Sequence, residues 1–104
     1  MAKHFEYVVK EPDCGIKITK VNVYPFQNAK QSLYTKGIAS IVLNDALVIQ
    51  GLRIMEAPHG WFVAYPTDTL YKGEDLRNAV DPTNDDLRAY INAVVLNKFF
   101  EERG

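Results

Sequence analysis

The side chains that catalysis or metal binding would recruit from this sequence are His4, His59, Cys14 and two acidic doublets, Glu74-Asp75 and Asp85-Asp86. Neither histidine belongs to a metal-ligand spacing, and a single cysteine excludes both a four-cysteine zinc site and an internal disulfide. Cys14 has no base beside it in the sequence to lower its thiol pKa. Adjacent carboxylates diverge along a backbone, so neither doublet makes an acid/base pair by itself. No glycine-rich phosphate loop and no G-x-S-x-G elbow is present. The chemistry expected is therefore non-enzymatic, with no catalytic residue, no metal and no cofactor.

A second chemistry is suggested by charge. Over the 104 residues, 12 Lys and Arg stand against 13 Asp and Glu, a formal charge of −1. That balance is uneven along the chain. Gly15 to Asn44 carries four lysines (Lys17, Lys20, Lys30, Lys36) and no acid, whereas eight acids face five bases from Thr67 onward. Local potential, not total charge, attracts a polyanion. Tyr24, Phe26 and Tyr34 flank the lysines, and aromatic rings beside cations form the stacking-and-phosphate surface that single-stranded nucleic acid uses. The alternative is that these rings pack across neighbouring strands and that the lysines protect a sheet edge.

The elements that must position these groups follow from periodicity. The apolar fraction of 47% and charged fraction of 24% are those of one globular domain. No apolar run reaches the roughly 20 residues that span a bilayer, and the first residues lack a signal-peptide core; a cytoplasmic protein without membrane contact is expected. Residues 1–15 read as an N-terminal extension and 16–104 as the single domain. His4 to Lys10 alternates weakly as a short edge strand. Ile16 to Tyr24 reads as a strand whose apolar positions break period two at Thr19–Lys20, the signature of a bulge. Gln27 to Ser32 reads as a polar loop. Tyr34 to Leu43 and Ala46 to Glu56 form a hairpin turning at Asn44-Asp45, and Gly60 to Tyr65 adds a further strand. Thr67 to Asp81 reads as a loop with an extended piece at Leu76 to Val80.

A helix follows Pro82, capped by Thr83 or Asn84 and carrying Asp85 and Asp86 in its first turn, where the dipole favours acids. Leu87, Tyr90, Ile91, Val94 and Val95 form one apolar stripe on it; Ala89, Ala93, Leu96 and Phe100 form a second. Arg88, Asn92 and Arg103 lie on a polar seam between them. The predicted fold is α+β, an antiparallel meander of four to five strands with a C-terminal helix.

The strands are also two-faced: Ile38 and Val42 against Ala39, Ile41 and Leu43, and Val48, Leu52 and Ile54 against Leu47 and Ile49. One helix covers one sheet face, and a bare second face would exceed the apolar patch a monomer usually shows. A self-complementary dimer that extends or covers the sheet resolves this, with Leu96, Phe100, Ile41 and Leu43 as expected interface residues. The alternative is that the N-terminal extension covers the second face.

Three stretches, Ile38-Ala39-Ser40-Ile41-Val42-Leu43, Gly51-Leu52-Arg53-Ile54-Met55 and Gly60-Trp61-Phe62-Val63-Ala64-Tyr65-Pro66, resemble the core of the SpoVG (septation protein) family. There the corresponding segments read approximately IASITL, DIRVI and GLFVAMPS. The likeness continues through Gly73-Glu74, Leu76-Arg77-Asn78, Pro82, Asn84, Arg88, Ile91 and Val95-Leu96-Asn97. It implies a small homodimer without enzymatic activity, linked to cell division or sporulation, that binds DNA or RNA as a regulator through its C-terminal helical region. By position, that implies Arg77, Arg88 and Lys98 as nucleic-acid contacts, to which the lysine segment adds Lys17 and Lys20. The chain departs from the family pattern at Thr67-Asp68-Thr69, where a basic pair is common, and at Tyr90, where lysine is frequent. Both departures remove positive charge. The competing expectation is a protein-interaction module in septation or envelope control that docks a protein partner.

Overall fold

The computed structural model describes residues 7–26, 34–73 and 77–103, with Arg103 described by its backbone only. Four strands, β1 (Ile18–Pro25), β2 (Thr35–Leu43), β3 (Leu47–Ala57) and β4 (Gly60–Ala64), precede one helix, α1 (Asp85–Arg103). The strands pair antiparallel in sequence order, β1-β2-β3-β4, an open meander. The α+β meander expected from the sequence is the fold observed.

Local chemistry sets each junction. Asn44 and Asp45 both take a φ of 53°, and the Ala46 N–H donates to the Leu43 carbonyl at 2.9 Å, closing the β2–β3 turn. The Asn44 side chain also accepts from the Lys17 N–H at 2.8 Å and donates to the Gly15 carbonyl at 3.2 Å, which ties the approach to β1 onto the hairpin. The β1 register slips between Ile18 and Lys20, the bulge that the apolar spacing predicts. At α1, Asn84 is the cap: its Oδ1 accepts the N–H groups of Asp86 (2.7 Å) and Leu87 (3.2 Å).

A second bulge changes the two-faced reading of β3. The β2–β3 register shifts between Ala39 and Ile41, opposite Gly51, whose φ of +81° suits the extra residue of a bulge. Ile41 pairs with Ile49 and Ala39 with Leu52, so Ile49, Leu52 and Ile54 all turn to the inner face while Val48 stays on the outer one. The strict alternation expected across Ala46 to Glu56 fails at that extra residue.

α1 packs on the inner face. Ile41, Leu52, Ile54 and Val95 are fully buried there with Leu96 and Phe99, and Trp61 closes one end against Phe99 (5.4 Å) and Phe100 (4.9 Å, edge-on). The expected strand over His4 to Lys10 does not form where it is described: residues 7–10 are irregular, and residues 1–6 lie outside the described residues. The segment instead lies along α1. Tyr7 is hydrogen-bonded to Asn97, and Val8 together with residues 10–13 lines a small cavity with Asp86, Ala89 and Tyr90. Of the second helix stripe, Ala93, Leu96 and Phe100 are buried within the chain, and Ala89 stays exposed beside the N-terminal segment.

Candidate nucleic-acid interface

The inner face being filled, function falls to the outer face, the edges and the loops. The register places Lys20, Asn22 and Tyr24 of β1 on the outer face, beside Val42, Ser40 and Ile38 of β2. Val48, Arg53 and Met55 of β3 and Phe62 and Ala64 of β4 complete it. None of these positions is acidic. Tyr24, Ile38, Arg53 and Ala64 form one row across all four strands. Tyr24 is 60% exposed and Ile38 43%. Phe26 is half-buried and Tyr34 exposed. Arg53 is half-buried and donates a long hydrogen bond, 3.5 Å, to the Tyr65 carbonyl. Among the described residues no ion pair engages Lys20, Lys36 or Arg53.

The five bases expected at phosphate are differently placed. Arg88 donates to Asp81 (3.0 Å) and to the Pro82 carbonyl (2.9 Å), with its guanidinium carbon 5.8 Å from the Tyr65 ring centroid. Arg77 donates to Asp68 at 2.8 Å and lies 4.2 Å from the Tyr71 ring centroid. That bond holds the Asp68 carboxyl below its ordinary pKa. Lys98 pairs with Glu102 (3.1 Å) and Glu101 (3.4 Å), which raise its pKa. Lys17 is an exposed lysine 3.9 Å from Glu11. Lys20 alone of the five lies on the carboxylate-free face without an ion pair among the described residues. Arg88 and Lys98 are about 15 Å apart along α1, so the helix bases do not converge. Lys30 and Glu74-Asp75 lie outside the described residues.

The expected dimer residues are also placed elsewhere. Ile41 (0% exposed), Leu96 (1%) and Phe100 (8%) belong to the chain's own core, and Leu43 packs at its margin. A second copy could reach them only by opening that core. The apolar side chains that remain exposed on the sheet are Tyr24, Ile38, Leu47 and Val48. Sequence reasoning missed Arg53 because its face depends on the Gly51 bulge; the signal was a glycine between apolar residues three apart, Ile49 and Leu52.

The edges are partly closed. From α1, the Asn92 Oδ1 accepts the Val63 N–H at 3.3 Å, blocking part of β4, and the Tyr90 hydroxyl accepts the Ile18 N–H at 2.8 Å at the start of β1. Cys14 and His59 are both exposed, and His59 stacks on Phe62 with centroids 5.7 Å apart. Among the described residues no three His, Cys, Asp or Glu side chains group to hold a metal, and no helix is long and apolar enough to cross a membrane.

A family model described as SpoVG matches residues 16–101. The chain is similar to proteins named "Putative septation protein SpoVG" from several bacteria. The one from Fusobacterium nucleatum is 33% identical over 86 residues, 83% of this chain and 85% of that protein. The one from Staphylococcus carnosus is 34% identical over 86 residues, 83% and 77%. That of Phytoplasma australiense is 32% identical over 84 residues, 81% and 83%.

Proposed function

The chain belongs to the SpoVG family, and on that premise we propose that it is a non-enzymatic, homodimeric regulator that binds DNA or RNA and acts in septation, cell division or sporulation. The observation that carries nucleic-acid binding is the outer sheet face: Lys20 and Arg53 stand on it beside an exposed Tyr24, and among the described residues no strand position on it carries a carboxylate. A face of this kind attracts phosphate although the whole chain is slightly acidic. The bases of the helical region, being ion-paired, contribute less. Dimerisation is supported by Leu47 and Val48, 58% and 50% exposed beside the β2–β3 turn, which would leave water between two copies, while Ile38 stays with the nucleic-acid face.

The test is binding of a mixed DNA and RNA pool at two salt concentrations. Complexes at low salt whose affinity falls linearly on a log–log plot against salt are expected. Absence of any complex at low salt overturns the reading in favour of a protein-interaction module in septation or envelope control. Light scattering tests the dimer: a mass near 11.8 kDa without concentration dependence overturns it.

A further inference from the structure

The outer face also says which form of nucleic acid fits. We infer that it takes an extended single strand, with Tyr24 as the ring on which a base stacks and Lys20 and Arg53 as the phosphate contacts; this rests on the nucleic-acid binding proposed above. A duplex is read by an element that enters a groove, most often a helix. Here α1 lies against the opposite face, and its described bases, Arg88 and Lys98, are held by Asp81, Glu101 and Glu102. The outer face is instead the exposed surface of a four-stranded sheet.

On that surface Tyr24 is 60% exposed and borders a depression of about 260 Å³ lined also by Ile38, Ser40, Gln50 and Gly51. The bulge at Gly51 interrupts the β2–β3 ladder there. The Ser40 hydroxyl and Gln50 amide supply donors and acceptors that can meet base edges, which a duplex keeps paired and a single strand presents. Lys20 is two alternations along β1 from Tyr24, about 13 Å, and Arg53 is in the Tyr24 row two strands away. Phosphates on either side of a stacked base are thus within reach of a cation. With two such cations, the log–log salt slope for a single strand is about −1.4.

The experiment is fluorescence anisotropy of the full chain with oligothymidylate, oligouridylate and a mixed-sequence duplex, each about 12 nucleotides long. Both single strands are expected to bind more tightly than the duplex. Tyr24→Ala should weaken them by between about 5-fold and about 100-fold, while Tyr24→Phe, which keeps the ring, should bind as the parent does. Lys20→Ala should flatten the slope by about 0.7. Equal or tighter duplex binding, or an unaltered affinity in Tyr24→Ala, overturns this inference and leaves nucleic-acid binding standing. Failure of all three oligonucleotides overturns both. A Tyr24→Ala protein that halves its mass in light scattering and keeps its affinity assigns the face to contact between copies, which also overturns it.

Discussion

Asn97 holds both polar groups of the Tyr7 backbone with one side chain: its Oδ1 accepts the Tyr7 N–H at 2.7 Å and its Nδ2 donates to the Tyr7 carbonyl at 2.8 Å. The amide thereby imitates the two-bond exchange of an antiparallel pair and fastens the N-terminal segment to α1. Tyr7 packs against the core from that position, and burial raises its phenol pKa.

Asn97→Ala should therefore release the segment and cost about 1–3 kcal/mol, two hydrogen bonds at the usual net contribution. Urea unfolding reads the loss, and amide exchange should accelerate at Tyr7. Unchanged stability together with unchanged exchange would show that the contact contributes nothing.

Arg88→Ala should lower the melting temperature and leave the salt slope of nucleic-acid binding unaltered. The guanidinium bonds both the Asp81 carboxylate and the Pro82 carbonyl and so fastens the turn before α1 to the helix. Arg88 and Asp81 are both partly exposed, which limits the ion pair to about 1 kcal/mol or less. Arg88→Lys should restore little, since one ammonium cannot reproduce the fork. A flattened slope with full thermal stability would instead place Arg88 at phosphate.

The fold was legible where spacing carries it. The turn at Asn44-Asp45, the bulge at Thr19–Lys20 and the helix after Pro82 follow from residue type and period. The bulge at Gly51 left the same kind of mark, a step of three from Ile49 to Leu52, but alternation through it assigned Leu52 and Ile49 to opposite faces. The site was less legible because its electrostatics depend on tertiary neighbours. Arg88 meets Asp81 seven residues away across a proline-containing turn, and Arg77 meets Asp68 nine residues away. The extended spacing of Tyr7 to Lys10 says nothing of Asn97, 90 residues distant.

Tyr65→Phe should stabilise the protein by about 1 kcal/mol at neutral pH, because the buried Tyr65 hydroxyl has no hydrogen-bond partner among the described residues. Burial raises its pKa from an ordinary 10.0 to about 12, against a lowering by Arg88. The unfolded chain thus releases this proton more readily than the folded one. Stability linked to Tyr65 is complete below pH 10 and declines as pH rises towards about 12. Alkaline unfolding of Tyr65→Phe should move to higher pH. An identical alkaline midpoint in the two proteins would contradict the assignment.

Gly37→Ala tests how the two sheet faces communicate. A Cβ at Gly37 would lie 3.0 Å from the Tyr24 carbonyl oxygen, 3.2 Å from the Pro25 Cα and 3.3 Å from the Phe99 Cε1. Two of these three atoms are β1 backbone, which cannot yield without moving the strand. The third belongs to a ring 5.4 Å from Trp61 and fixed in the core. The methyl group should therefore cost about 1–3 kcal/mol as an overpacked site. Gly15→Ala is the control, with nothing within 4 Å of its Cβ and only the strain of a φ of +79°. The two variants separate by Trp61 fluorescence, which should shift in Gly37→Ala through Phe99 and remain as in the parent in Gly15→Ala. The same displacement presses on the backbone of Tyr24, so Gly37→Ala should also weaken single-strand binding at a temperature where it is fully folded. Unchanged Trp61 emission and unchanged affinity would mean that β1 absorbs the methyl group elsewhere and that packing beneath Tyr24 does not set its position.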